Sequence, residues 1–203
     1  MGDNLMSTLL VDGINDADGG GPKATLPTSG GSAFTLGPNW GAMEFVSKTA
    51  IAAATNIDIT SLAAGYNYVF RINSGVPATD GTNLRIKFLR SSSPLEGGSD
   101  YRYVGNSAAY INVAGDIGNV SQVEGISCDV WLPEPNGGSL VKRVWLLGSH
   151  SNNNATSNEN TYAVQGKLTS SNPANAIDGI RFYWSSGDWR NEGFVSVFRG
   201  RLS

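Results

Sequence analysis

The sequence predicts an all-β protein, and three observations support this prediction. First, the 203 residues include 26 glycines and 8 prolines, well above the average share of about 12% for these two residues together. Second, only 15% of the residues are charged, against a typical value of about 25%. Third, hydrophobic and polar residues alternate in several short runs. A turn-rich chain with a two-residue period is typical of half-buried antiparallel strands.

The clearest alternation lies in two runs of the chain. In residues 66–72 one face holds four apolar side chains, Tyr66, Tyr68, Phe70 and Ile72, while Asn67 and Arg71 face away. Residues 82–90 repeat this pattern, and residues 56–60 form a shorter copy. Such runs predict antiparallel strands with one face in the core and the other toward solvent.

Further hydrophobic runs predict more strands, separated by clusters of turn residues. The additional runs are 43–52, 101–105, 120–132, 140–147, 162–168, 177–184 and 194–199. The turn clusters are 74–81, 96–98, 133–138 and 149–160. About nine or ten strands joined by such loops predict an antiparallel two-sheet, jelly-roll-like β-sandwich.

The first part of the chain differs in composition from the rest. Residues 1–39 are rich in Gly, Pro, Ser, Thr and Asp, and they cannot bury enough apolar surface to stay compact. We therefore expect an extended N-terminal arm at 1–39 and a β-sandwich domain at 40–203. The Asp-rich piece of this arm does not match a calcium loop, because Ile14 interrupts the acidic pattern and Thr25 stands where a Glu is required. A solvated acidic turn is the expected role of this piece.

The charge balance and hydropathy argue against two classes of partner. The formal net charge is −3, and the chain contains no run of Lys and Arg, which disfavours nucleic acid and anionic membranes as partners. No stretch approaches the ~20 apolar residues of a membrane span. The first residues also lack the basic start and apolar core of a signal peptide, so we expect synthesis in the cytoplasm.

The residues that most often support catalysis are scarce. Cys128 is the only cysteine and lies in a predicted strand, where we expect it to be a small buried hydrophobic residue. His150 is the only histidine and begins a loop of Ser and Asn, where we expect it to be solvent-exposed rather than catalytic. One Cys and one His cannot form a zinc site without several carboxylates. A glycosidase would need two facing carboxylates, and the sequence has candidate Asp residues but does not show which of them face each other. The expectation is a non-enzymatic protein without a cofactor or a metal site.

The aromatic residues offer a possible ligand platform, although core or interface packing is the expected role of most of them. Tyr183 and Trp184 are adjacent, so they must point to opposite faces of their strand. Trp189 lies in the turn-like run 187–191, and we expect it to be exposed. Trp145 is a further candidate for the platform.

Three groups of short stretches, in their order and spacing, carry a family resemblance. They include Val-Pro-Ala-Thr-Asp-Gly at 76–81 and Ser-Ser-Gly at 185–187. The full set is 44–47, 56–62 and 66–68, then 76–84 and 99–103, and finally 176–187 and 193–200. Together they resemble a family of tailed-bacteriophage virion proteins, often tail-fibre or receptor-binding modules. The resemblance covers about residues 40–203; residues 188–192 replace a turn of small residues that is common in the family.

The resemblance implies a structural protein of the virion, synthesised in the host bacterial cytoplasm. It would belong to a tail fibre, tail tip or spike and aid attachment to the host surface. By analogy with such proteins we expect a homotrimer, with residues 1–39 docked onto other virion proteins. The family motifs are strand and turn residues, so no active site follows from them.

Seven residues are the candidate contacts to a host glycan or protein. They are Tyr101, Tyr103, Asn152, Asn153, Asn154, Trp189 and Arg190. Two alternatives remain for the function. One is a capsid decoration protein or head fibre. The other is a carbohydrate-binding module or a polysaccharide-degrading enzyme on a jelly roll, which predicts aligned exposed aromatics, or carboxylates and basic residues clustered on one sheet.

Overall fold

The computed structural model describes residues 43–103, 106–121, 123–137, 141–151, 159–169 and 176–201, and the backbone of three short strands before them. The chain divides into two compact units, Met1–Ala42 and Met43–Leu202. In the first unit, strands β1 (Ile14–Asn15), β2 (Pro22–Thr25) and β3 (Thr35–Leu36) form a small antiparallel sheet in the order β1-β2-β3. Short paired strands therefore occur within the segment that was predicted to be an extended arm.

In the second unit, the described residues form thirteen strands. They are β4 (Glu44–Ala50), β5 (Asn56–Ile59), β6 (Tyr66–Gly75), β7 (Thr82–Arg90), β8 (Ser93–Pro94), β9 (Tyr101–Tyr103), β10 (Asn106–Ala108), β11 (Ile111–Ile117), β12 (Gly125–Leu132), β13 (Arg143–Ser151), β14 (Glu159–Leu168), β15 (Gly179–Trp184) and β16 (Phe194–Arg201). An eight-stranded sheet has the order β10-β9-β14-β13-β12-β6-β16-β4. A five-stranded sheet has the order β11-β7-β15-β5, with β8 paired to β7.

The two sheets pack face to face, which confirms the predicted antiparallel β-sandwich. Phe70 of the large sheet lies against Phe182 of the small sheet, with ring centroids 6.0 Å apart in an edge-to-face arrangement. Leu84, Ile86 and Phe88 of β7 are all fully buried, as their alternation predicted. Burying such side chains contributes roughly 1.5–3 kcal/mol each, so the apolar layer between the sheets stabilises the fold.

Several regions differ from the prediction: β8 and β10 lie outside the predicted runs, and β11 and β13 differ in ways that can be explained. Strand β11 was not predicted; its pairing with β7 shifts register between Asn112 and Ala114 and again before Ile117, which interrupts the two-residue period. Strand β13 continues to Ser151, so His150 lies in a strand rather than in a loop. Its side chain is only 9% exposed, and the prediction of a solvent-exposed histidine is wrong. The inward positions of β13 are the even-numbered ones, and His150 follows Val144, Leu146 and Gly148 in that series.

Candidate functional site

Tyr101 lies in the core instead of on the surface. Its side chain is fully buried, and its ring centroid lies 5.6 Å from that of Phe88. The hydroxyl accepts a hydrogen bond from the Phe88 amide at 2.9 Å and donates one to the Leu95 carbonyl at 3.1 Å. Burial raises the pKa of this phenol well above its usual value. The expectation that Tyr101 contacts a receptor is therefore corrected: its role is to join β9 to β7 across the sandwich.

Trp189 is also a core residue. It is fully buried, and its ring centroid lies 4.5 Å from that of Trp184. Its backbone amide donates to the Ala54 carbonyl at 2.9 Å, and it forms an isolated β-bridge with Pro77. The prediction that Trp189 is exposed is wrong, because the turn folds inward over the end of the sandwich.

The other predicted contacts have mixed positions. Tyr103 is half-buried and its ring stacks on Tyr110, with centroids 6.5 Å apart. The Arg190 side chain is 37% exposed and lies 3.8 Å from the Glu192 carboxylate. Asn152, Asn153 and Asn154 lie outside the described residues. Contact roles for Tyr103, Arg190 and the three asparagines stay predictions.

The single cysteine and histidine are both enclosed. Cys128 is 4% exposed, as predicted, and burial raises the pKa of its thiol to about 12, so the thiolate needed by a nucleophile is disfavoured at neutral pH. Burial likewise lowers the pKa of His150, against the opposing effects of a hydrogen bond to the Gly115 carbonyl and the charge of Asp116. His150 and Glu124 line one depression of about 650 Å³, and each has a buried polar atom, Nδ1 and Oε1, without a hydrogen-bond partner.

Among the described residues no helix is long and apolar enough to cross a bilayer. The same residues contain no group of three or more His, Cys, Asp or Glu side chains placed to hold a metal ion.

The outer face of the large sheet contains an apolar row that crosses five strands. Cross-strand partners lie side by side on one face of a sheet, so pairing defines the row. Trp145 of β13 is paired with Trp131 of β12, and Trp131 with Val69 of β6. Val69 is paired with Phe198 of β16, which lies against Phe45 of β4. Phe45 is 56% exposed and Trp145 is 42% exposed.

A second row, of three cations, lies beside the tryptophan end of the apolar row. Arg143 of β13 is paired with Lys167 of β14, and Lys167 with Arg102 of β9. Adjacent strands lie about 4.8 Å apart, so these three like charges are close neighbours. No carboxylate among the described residues lies within ion-pair distance of them.

Elsewhere the fold pairs many of its cations with carboxylates. On the same face, Arg71 donates two hydrogen bonds to Asp129, at 2.7 and 2.8 Å. On the small sheet Arg181 holds Asp58 in the same bidentate way, with both distances 2.7 Å. Like charges placed directly opposite each other destabilise a sheet, and an anionic ligand would relieve this repulsion along the cation row.

The tryptophan pair and the cation row line one open depression of about 660 Å³. We call it the Trp–Arg surface, defined by Arg102, Trp131, Arg143, Trp145, Leu147, Ala163, Gln165 and Lys167. Its side chains offer flat aromatic faces, fixed positive charge and one amide. These groups can stack on a ring, attract an anion and hydrogen-bond a polar ligand.

Sequence reasoning identified only Trp145 of this surface as a possible platform residue. The three cations stand at 102, 143 and 167, and they become neighbours only through the strand pairing. The signal present in the sequence was alternation: Arg143, Trp145 and Leu147 occupy the outward positions of β13. A strand whose outward positions hold a tryptophan and a leucine indicates a surface that has a partner.

Comparison with known proteins leaves the site to be interpreted from its own chemistry. No protein-family model, no curated protein and no solved structure matches the chain. The exposed aromatic and basic side chains of the Trp–Arg surface are therefore the basis for the functional argument.

Proposed function

We propose that this protein is a non-enzymatic attachment protein of a tailed-bacteriophage virion, and that it contacts the host surface through the Trp–Arg surface. The observation that supports a binding role is the Trp131–Trp145 pair, of which Trp131 is half-buried and Trp145 is 42% exposed, beside three cations that have no carboxylate partner among the described residues. Exposed aromatic and arginine side chains that lie together are characteristic of binding sites.

Binding, rather than hydrolysis, is the chemistry that this surface supports. The residues that line the depression include no carboxylate, histidine or cysteine among those described. Glycosidases use two facing carboxylates and hydrolytic triads use a histidine base, whereas aromatic, guanidinium and amide groups bind and orient a ligand. A bound ligand would meet an open, shallow surface.

The assignment to a virion is supported by the sequence resemblance over residues 40–203. On this proposal the sandwich presents the Trp–Arg surface, residues 1–39 anchor it to other virion proteins, and three copies assemble. A place on the head, as a decoration protein or head fibre, is the second candidate and uses the same fold. A free carbohydrate-binding module is the third candidate, and the outward-facing tryptophan pair favours it specifically.

Immunogold electron microscopy of the phage that encodes this chain tests the proposal. Antibodies against the full chain are expected to label the tail, and the free protein is expected to reduce adsorption of the phage to its host. Labelling of the head alone would indicate a decoration protein or head fibre instead of an attachment protein. Particles without label, together with unchanged adsorption, would contradict a virion role and favour the carbohydrate-binding module.

A further inference from the structure

We infer that the Trp–Arg surface binds an anionic saccharide, a chain of sugar rings that carries carboxylate groups. This inference rests on the proposed attachment function and names the class of ligand that the function would require. Three features of the surface lead to it: the paired tryptophans, the spacing of the cations and the position of the surface in the middle of a sheet.

The tryptophans supply the part of the site that recognises rings. Trp131 and Trp145 are direct cross-strand partners, so both indoles project from the same face. An indole offers a flat apolar surface, and a pyranose ring presents a matching face of C–H groups. Gln165 is the next residue in this row, paired with Trp145, and its amide can donate to and accept from ring hydroxyls.

The cations supply the part that selects an anion. Arg143, Lys167 and Arg102 stand on three adjacent strands at intervals of about 4.8 Å, a spacing comparable to one sugar ring. A saccharide with a carboxylate on each ring would place one anion near each cation. The whole chain has a formal charge of −3, so this attraction is local to the row and does not reflect a basic protein.

Position in the sheet disfavours a peptide as the ligand. Extended peptides gain much of their affinity by pairing with a free sheet edge. Strands β12 and β13, which carry both tryptophans and Arg143, pair along most of their length with a neighbouring strand on each side. Ring stacking and charge are therefore the main interactions that this surface can make with a ligand.

Charge also disfavours a two-fold symmetric pairing of this surface with the same surface of a second copy. In a two-fold symmetric interface the same patch meets itself. The cation row would then face another cation row without carboxylates to separate them, which costs free energy. A carboxylated saccharide removes this repulsion and adds charge-assisted hydrogen bonds.

Calorimetric titration of the full chain tests the inference with a matched pair of probes. The first probe is the octamer of galacturonic acid, and the second is the same octamer with every carboxylate methyl-esterified. We expect binding of the acid form that weakens as salt is added, and at least about tenfold weaker binding of the ester. Equal affinity for both probes would overturn the requirement for an anion.

Two variants and a control locate the site. Trp145→Ala and Arg143→Gln are each expected to weaken binding of the acid octamer by about tenfold or more. Both side chains are exposed, so the fold is expected to tolerate their loss; the thermal unfolding midpoint verifies this. Lys48→Gln removes one positive charge from strand β4, on the same sheet but outside the depression, and is expected to bind like the original chain. Full binding by Trp145→Ala and Arg143→Gln would overturn the inference.

The outcome separates the failure of the inference from the failure of the proposed function. If the chain labels virions and blocks adsorption but does not bind the acid octamer, the ligand class is wrong and the attachment role stands. If it binds the octamer but is absent from virions, the saccharide site stands and the virion role fails. If Trp145→Ala instead abolishes self-association of the chain, the surface is an interface between copies and the inference is overturned.

Discussion

At the scale of single residues, His150 shows how strand position determines the environment of a polar side chain. It occupies an inward position of β13, with its ring centroid 5.6 Å from that of Tyr162. Its Nδ1 is buried without a hydrogen-bond partner, and the cost of burying the charged ring outweighs the favourable effects of the Gly115 carbonyl and the Asp116 charge. The neutral form is therefore the one that the fold accommodates.

This arrangement predicts a fold that loses stability on mild acidification. Burial lowers the pKa of folded His150 below the ordinary value of 6.5, so the unfolded chain binds the proton more tightly. The contribution of neutral His150 to the free energy of unfolding is therefore fully present above about pH 6.5. It decreases as the pH falls toward the lowered pKa of the folded form. We expect the thermal unfolding midpoint to be lower at pH 5.5 than at pH 7.5.

His150→Gln is the matched control, because the chain contains no other histidine. The variant is expected to show little change in midpoint between pH 7.5 and pH 5.5, whatever its absolute stability. Glu44 and Glu96, whose pKa values are lowered by hydrogen bonds from Arg199 and Lys87, lose their charge only below their ordinary value of 4.5. An equal pH dependence in the variant would show that another group is responsible.

At the scale of elements, the contact between the sheets depends on a glycine in β14. A Cβ built on Gly166 would lie 2.6–2.8 Å from three side-chain carbons of Ile111 in β11. Real Cβ atoms do not approach other atoms so closely, and Ile111 fills the space that the glycine leaves. The two sheets approach each other closely here because this residue has no side chain.

Gly166→Ala is therefore expected to destabilise the protein by about 1–3 kcal/mol through overpacking. Ile111→Ala alone is expected to cost about 2–5 kcal/mol by leaving a cavity. The double variant is expected to lose less than the sum of both, because the alanine methyl at 166 enters the space vacated by the isoleucine. Urea denaturation measures all three free energies of unfolding.

Gly98→Ala serves as the control for this series. No atom lies within 4 Å of a Cβ at Gly98, and the substitution is expected to change stability by less than about 0.5 kcal/mol. Strictly additive effects of the changes at 111 and 166 would contradict direct packing between the two residues.

The elements also show which features a sequence reveals. Regular alternation identified β6 and β7, since each has one face in the core along most of its length. Strand β11 was not predicted because its two register shifts and the positive φ of 59° at Asp116 break the alternation. Trp189 was misplaced for a related reason: the polar residues around it indicate a turn, but they do not reveal that the turn folds back onto Trp184.

The Trp–Arg surface lay beyond sequence reasoning because its parts are distant in the chain. Alternation tells which side chains leave the core, but it does not tell which strands become neighbours. Arg102 lies beside Lys167 only because β9 pairs with β14, although four strands separate β9 from β14 in the sequence. A site formed by cross-strand neighbours can therefore be predicted only when the order of the strands in the sheet is known.

At the scale of the whole molecule, we expect the sandwich to be sufficient for assembly. The unit Met43–Leu202 contains both sheets of the sandwich and the core between them. The full chain and a chain beginning at Trp40 are both expected to be trimers, with the full chain at three times 21.4 kDa. Size-exclusion chromatography with light scattering measures this mass.

Other oligomeric states of the two chains would change this interpretation. Trimers of the full chain alone would assign the subunit contacts to the N-terminal segment and favour a decoration role. Monomers of both chains would remove self-association as an argument for a fibre and favour the carbohydrate-binding module. Trp145→Ala is expected to leave the trimer intact, because the Trp–Arg surface is assigned to a ligand.

Strand β4 determines how the domain would bear a mechanical load. It is the first strand after residue 42 and pairs with β16 at one edge of the large sheet. Tension on the N-terminal segment therefore enters the domain at Glu44, which Arg199 holds with two hydrogen bonds of 3.0 and 3.2 Å. From there the force passes from strand to strand, through β16, β6 and β12, to Trp145 on β13. A pull between the N-terminal segment and a bound ligand would thus be shared by the hydrogen bonds of a single continuous sheet.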